Sequence, residues 1–198
     1  NKMRRILFVL LIGIAVQASG QTPQVPAAMD FAGMKLHLND AARRQIQTDV
    51  DNLRRNETYF RRRMEKVDQH FPIIEKAFRE ANLPDDFKYL VIQESALVSD
   101  AVSSSNAVGF WQFKKETALE MNLRVDNEVD ERLNLAASSR AAAGYLKKNN
   151  FYYDNWIYAL LAYNTGRGGA QKYVKEKDFG KRKMDITANT HWYVKKFL

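Results

Sequence analysis

One carboxylate, Glu94, stands on what otherwise reads as the apolar stripe of a helix. In the pattern opening near Pro84, Phe87, Leu90 and Val91 fall at i, i+3 and i+4, Glu94 at i+7, and Leu97 and Val98 extend the same face. Desolvation on that face disfavours the charged form and leaves a proton available near neutral pH, as a general acid requires. Pairing with a buried arginine such as Arg140, or snorkelling to the helix end, explains the same pattern structurally. Downstream, Val98 to Asn106 carries Ser99, Asp100, Ser103, Ser104 and Ser105, too polar for a core and long enough to line a cleft. Gly109-Phe110-Trp111-Gln112-Phe113 follows, aromatic rings that stack on sugars or on a core, beside an amide that reads hydroxyl or acetamido groups. A third cluster, Tyr163-Asn164-Thr165-Gly166, ends an apolar helix; it faces a cleft or serves as a C-cap, with Tyr163 a core residue.

The elements that position these groups read as helices. Asp40 to about Arg63 is a polar surface helix, and Phe71 to Ala81 carries Phe71, Ile74, Ala77 and Phe78 at helical spacing. Pro84, Asp85 and Asp86 suit a first turn. Further patterns run over Lys114 to Met121, Ala136 to Lys148, Asp154 to Tyr163 with Asp154 as cap, and Ala170 to Lys175. Almost no strand signal is visible, so the fold class is all-α.

Residues 1–20 read as a signal peptide. Lys2, Arg4 and Arg5 precede the apolar run Ile6 to Val16, and Ala18-Ser19-Gly20 supplies a cleavage site before Gln21. The run is short for a bilayer span of about 20 residues, so cleavage is expected rather than a stable membrane anchor. Residues 21–39, with Pro23, Pro26 and Gly33, read as a linker, and residues 40–198 as one domain.

Composition narrows the function. The chain of 198 residues has 45% hydrophobic content and no cysteine, which excludes disulfides and thiolate metal sites. His37, His70 and His191 are scattered singly with no helical pairing, so no metal site is expected. The net charge of +8 falls to +5 without residues 1–20. The arginines from Arg43 to Arg63 suit a solvated helix face; for an exported basic protein, an anionic envelope polymer is a more sensible partner than nucleic acid.

In their order, Glu94-Ser95, Ser103, Gly109-Phe110-Trp111-Gln112-Phe113 and Ala162-Tyr163-Asn164-Thr165-Gly166 resemble the signature of the soluble lytic transglycosylase catalytic domain, in particular the membrane-bound D type of murein transglycosylase. Asp130-Glu131-Arg132 and Ala143-Gly144-Tyr145-Leu146 fit the same pattern. The resemblance runs from about Leu83 to Val174 and more weakly up to Tyr59. It implies a lysozyme-like helical domain that cuts peptidoglycan glycan strands between MurNAc and GlcNAc, leaving 1,6-anhydro-MurNAc ends, without a cofactor, in the periplasm or cell envelope. It also implies Glu94 as catalytic acid and base, with Ser95, Ser103, Gln112 and Tyr163 contacting sugar or orienting the acid. Phe110, Trp111, Phe113 and Asn164 follow as cleft neighbours, and Tyr193 matches a last pair with Val194. Ser99, Asn106, Asn134-Leu135, Thr165 and Asn189 depart from the family pattern, where proline, glycine, Asp-Pro, alanine or serine, and glutamate are usual.

Ordinary glycosidases use two carboxylates. Between Ser95 and Lys115 the sole other acid is Asp100. A hydrolytic muramidase of the goose-lysozyme kind would use Asp100 to position water, and a non-catalytic peptidoglycan-binding module would need neither acid.

Overall fold

The computed structural model describes residues 22–198; the expected signal peptide lies outside them. The chain enters through a hairpin, β1 (Ala28–Phe31) and β2 (Met34–Leu38), then α1 (Asp40–Arg54) and the long α2 (Glu57–Glu80). A 3₁₀ turn, Asp85–Tyr89, leads into the short α3 (Leu90–Ser95), and a loop reaches α4 (Lys115–Glu120). A second 3₁₀ turn, Glu131–Leu133, precedes α5 (Leu135–Tyr153) and α6 (Trp156–Ala170), and the chain ends with a third (Glu176–Asp178), β3 (Lys183–Ile186) and α7 (Trp192–Phe197). The domain is predominantly helical, as the sequence pattern indicates, with a small three-stranded sheet beside the helices.

That sheet corrects the linker reading of residues 21–39. β2 pairs antiparallel with β1 and parallel with β3, joining the first described elements to the strand that precedes the final helix. Met34, Leu36 and Leu38 are buried while Lys35 and His37 face out, the period of two expected of a half-buried strand. Gly33 at φ +77 belongs to the two-residue turn joining β1 and β2, not to a flexible tether. Val25, between the two prolines, is held by Gln47, which accepts from its N–H at 2.9 Å. Phe31 reaches into an aromatic cluster, 5.1 Å from Phe87 and 5.4 Å from Phe197 between ring centres, so the hairpin packs on both the approach to α3 and the C-terminal helix.

Helix boundaries moved for local reasons. The expected helix over 40–63 breaks after Arg54, where Asn56 accepts from the Tyr59 N–H at 3.0 Å and starts a new helix. That helix continues to Glu80 through Pro72, which lies on its exposed side, while Phe71, Ile74, Ala77 and Phe78 face the core. The expected cap Asp154 instead closes α5 in the left-handed region, at φ 46, and pairs with Arg182 at 2.8 Å. The α6 cap is Asn155: its Oδ1 accepts from Ile157 and Tyr158 N–H groups at 3.0 and 3.2 Å, and its amide donates to the Asp178 carbonyl. α6 runs on to Ala170 across a kink at Gly166, so residues 170–175 are its end and a following turn rather than a separate helix. Ile157 to Ala162 are all buried, which makes α6 the central helix.

If the hairpin is part of the domain, Leu36→Ala, at a 1% exposed position, costs about 2–5 kcal/mol of stability, as large-to-small core changes do. Chemical denaturation of the two proteins measures it; a change near zero restores the linker.

Candidate active site

Glu94 sits in the last turn of α3 and faces a cleft of about 450 Å³. The helix stops one residue later: Ala96 and Leu97 lie at φ 51 and 60, two successive left-handed residues that turn the chain away. Each such residue costs about 1–2 kcal/mol, and burial of Leu97, 4% exposed, offsets part of that. Leu97 and Val98 therefore do not extend the helical stripe. Burial pushes the Glu94 carboxyl up from 4.5 to about 7, against the opposing effects of the Tyr193 hydroxyl and the Lys196 charge. The Tyr193 hydroxyl donates a short hydrogen bond to Glu94 Oε1. Arg140 is exposed, so it is not the buried partner that a structural glutamate would require.

The opposite wall comes from the loop between α3 and α4. Val102 bridges Val108, and Val108 bridges Phe113, a folded ribbon whose corner is Gly109 at φ +86. A Cβ on Gly109 would lie 2.0 Å from the Arg132 carbonyl oxygen, so only glycine fits. Arg132, buried, pairs with Asp130 at 2.6 Å and donates from Nη1 to the Phe113 carbonyl at 3.2 Å. The Asp130-Glu131-Arg132 stretch thus braces the ribbon from behind. Gln112, at φ 52, donates its amide to the Ala101 and Gly109 carbonyls at 3.0 and 2.9 Å. With the nitrogen so committed, its amide oxygen is the group left for the cleft it lines.

α6 supplies the floor. Tyr163 donates its hydroxyl to the Trp111 carbonyl at 2.8 Å, and burial raises its phenol well above the ordinary value. Its ring lies 5.9 Å from Phe113 and 5.5 Å from Tyr145, an aromatic trio on the cleft wall. Asn164 lines the cleft and is exposed.

Of the sequence-based site residues, the cleft brings together Glu94, Ser103, Gln112, Phe113, Tyr163, Asn164 and Tyr193. Three are elsewhere. Trp111 is fully buried, donates its indole N–H to Ser139 at 2.9 Å and packs 5.4 Å from Phe78, so it is core rather than a sugar platform. Phe110, 5% exposed, packs against His70. Ser95 turns its hydroxyl back to the Val91 carbonyl. Ser103 lines the cleft while accepting from the Ala107 N–H at 3.0 Å, which shapes the loop. Sequence reasoning did not assign Gln93, Tyr145, Trp192 or Lys196, all cleft residues. Tyr145 stood in the quoted Gly144-Tyr145 motif; Trp192 and Lys196 carried no signal beyond proximity to Tyr193.

Two departures from the family pattern have physical explanations. Asn106, where glycine is common, sits at φ 61, a conformation asparagine tolerates. Asn134 caps α5 by accepting from the Ala137 N–H at 2.9 Å, the role aspartate would play.

With this geometry in view, comparison with known proteins is informative. The family model described as Transglycosylase SLT domain matches residues 71–186. The chain belongs to that family. Membrane-bound lytic murein transglycosylase D of Escherichia coli K12 is 28% identical over 174 residues, 85% of this chain and 38% of the relative; the protein of the same name from E. coli O6:H1 matches equally. The chain therefore spans well under half the length of these curated relatives. The lytic transglycosylase Slt from Pseudomonas aeruginosa aligns over 69% of this chain and 25% of its own, at 20% identity and a TM-score of 0.48.

Two predictions concern the acid of this transglycosylase domain. Because its folded pKa lies above its unfolded value, Glu94 binds its proton more tightly in the fold, and its contribution to stability falls as pH rises from about 4.5 to 7. Glu94→Gln is then more stable than wild type at pH 8, by on the order of 2–3 kcal/mol, and similar at pH 4; thermal melts at both pH values check this. Tyr193→Phe removes the hydroxyl that favours the carboxylate, so the Glu94 pKa rises further. Titration of Glu94 in that variant, followed by carbon NMR of its carboxyl, shows a midpoint above that of wild type.

Proposed function

We propose that this domain is a peptidoglycan lytic transglycosylase, with Glu94 as its acid and base. The observation carrying the proposal is that, among the described residues lining the cleft, Glu94 is the one carboxylate, and burial raises it to about 7, so that a proton can be both given and taken back near neutral pH. Family membership and the names of the relatives support the reaction class.

The mechanism follows from one acid in a cleft lined by aromatic rings. A glycan strand lies against Tyr145, Tyr163 and the exposed Trp192, with Phe113 buried behind them and the amide oxygen of Gln112 available to substrate hydroxyl or amide N–H groups. Glu94 gives its proton to the glycosidic oxygen as the bond from the muramic acid anomeric carbon breaks, and the substrate's acetamido group assists departure. The resulting carboxylate is stabilised by the Tyr193 hydroxyl and the Lys196 charge. It then removes the proton from the muramic acid 6-hydroxyl, whose oxygen bonds to the anomeric carbon and closes a 1,6-anhydro ring. Glu94 ends as it began, and water is not consumed. Tyr193 acts through Glu94 as a positioning residue.

The hydrolytic alternative needed Asp100 to place water. Asp100 is exposed and is not among the residues lining the cleft, which supports internal attack. An exported, envelope-located protein is the setting this chemistry requires. The basic and apolar start of the sequence and the relatives' names support that setting, and no helix among the described residues is long and apolar enough to cross a membrane.

Digestion of purified sacculi in heavy-oxygen water tests the reaction. Released muropeptides carry anhydro ends, one water lighter than hydrolysis products, with no solvent oxygen at the cleaved carbon. Asp100→Ala leaves them unchanged, and Glu94→Gln lowers turnover by about 10²- to 10⁴-fold or more. Early products dominated by solvent-labelled reducing ends identify a hydrolase instead.

A further inference from the structure

A groove of about 770 Å³, larger than the catalytic cleft, lies on the other side of α6 and α7. α7 is the partition: Val194 and the cap residue His191 line the groove, while Trp192, Tyr193 and Lys196 line the cleft. α6 divides in the same way, with Ile157, Tyr158 and Leu161 toward the groove and Tyr163 to Gly166 toward the cleft.

The groove is strongly basic. Lys35, Lys172, Lys175, Lys177, Lys181 and Lys183 line it, against Asp178 and Asp185. Lys181 is paired with Asp178 at 2.7 Å; the other five lysines have no ion-pair partner among the described residues. Lys35 and Lys183 are register partners on the parallel β2–β3 pair, an arrangement that like charges destabilise. An anion bound between the two strands would offset that repulsion. Among the lysines the groove presents the Tyr173 ring, 44% exposed, and the half-buried Met184, over a buried floor of Leu36, Ile157, Leu161 and Val194.

We propose that this groove is a second binding site, for the carboxylate-bearing stem peptides of the wall polymer; this rests on the cleft reading given above. Three features select that occupant. The ammonium groups match carboxylates by charge, and the accessible Tyr173 ring and Met184 suit aliphatic peptide side chains rather than bare phosphate. The groove is concave, which disfavours a flat bilayer, and its two carboxylates are already engaged, Asp178 by Lys181 and Tyr158 and Asp185 by His37, so the unpaired lysines set its charge. The groove also shares a wall with the cleft, so a polymer whose glycan occupies one can present peptides to the other. The groove then favours strands that still bear peptides, by retaining them during cleavage.

The experiment compares binding in a Glu94→Gln background, which avoids digestion, with and without Lys35→Gln/Lys172→Gln/Lys183→Gln. All three lysines are exposed and lie outside the cleft. The probes are intact sacculi, glycan strands stripped of peptides by an amidase, and phosphatidylglycerol vesicles. The triple variant is expected to lose on the order of tenfold in affinity for intact sacculi, in a salt-sensitive manner, and to bind stripped strands as its parent does. Equal affinity for intact sacculi in the two proteins overturns the proposal, as does an equal loss on stripped strands. Lysine-dependent binding seen with vesicles and not with sacculi assigns the groove to a lipid surface instead. Failure of the glycosidase reading is separate: it shows as wild-type protein that releases no anhydro ends from either sacculi or stripped strands.

Discussion

The hydrogen bond from Tyr193 to Glu94 joins residues 99 positions apart, and much of the architecture serves to hold its two ends. Glu94 comes from a short helix that would not persist alone, because six residues make too few turns to overcome nucleation. It is held by Leu90 and Val91, both fully buried, and by the Phe87 ring in the aromatic cluster. Tyr193 comes from an equally short helix near the chain's end. α7 is fixed by burial of Tyr193 and Val194 and by Lys195, whose ammonium donates to the Ala188 carbonyl and to Gln45 on α1. The segment feeding α7 is in turn β3, held by β2. The N-terminal hairpin is thus a structural support of the acid, although it contributes no residue to the cleft.

The loop opposite the acid works by a different economy. Non-glycine residues in the left-handed region cluster here, at Ala96, Leu97, Asn106 and Gln112, together with Gly109. Such strain persists where surrounding contacts over-determine it. Here those contacts are Trp111 seated in the core with its N–H on Ser139, and the Arg132 side chain braced between Asp130 and the Phe113 carbonyl. Trp111 and Phe110 therefore matter to the cleft by anchoring the ribbon that displays Gln112 and Phe113. The carbonyl of Trp111 still reaches the site, through the hydroxyl of Tyr163.

α6 has the central place in this arrangement. It is apolar on all sides because each side is covered, and its polar end begins where the cleft begins. One buried helix separates two recesses of different character: an aromatic cleft with one partly neutralised acid, and a lysine-rich groove. That separation keeps the groove's positive charges on a different face from Glu94. Lys196 is the cation that acts directly on the acid.

Much of this was legible from residue order. Local periodicity marked Glu94 as a carboxylate on an apolar face, and the ordered motifs around it pointed to the transglycosylase family. α4, α5 and α6 were recognised with shifted ends, because cap residues such as Asn155 and Asp154 are decided by which side chain reaches the free N–H groups. Three things were decided by tertiary structure alone. The hairpin at 28–38 was masked by neighbouring prolines and glycine, and a short strand becomes evident only once β3 supplies a partner from the far end of the chain. Phe110 and Trp111, taken alone, read more readily as core than as platform, and the family resemblance placed them at the cleft, since local spacing does not say which face of a loop is covered. The pairing of Tyr193 with Glu94, and the gathering of lysines from β2, β3 and the turns after α6 into one groove, depend on contacts between distant segments. Periodicity reports which face of an element is apolar; only the packed chain determines what that face meets.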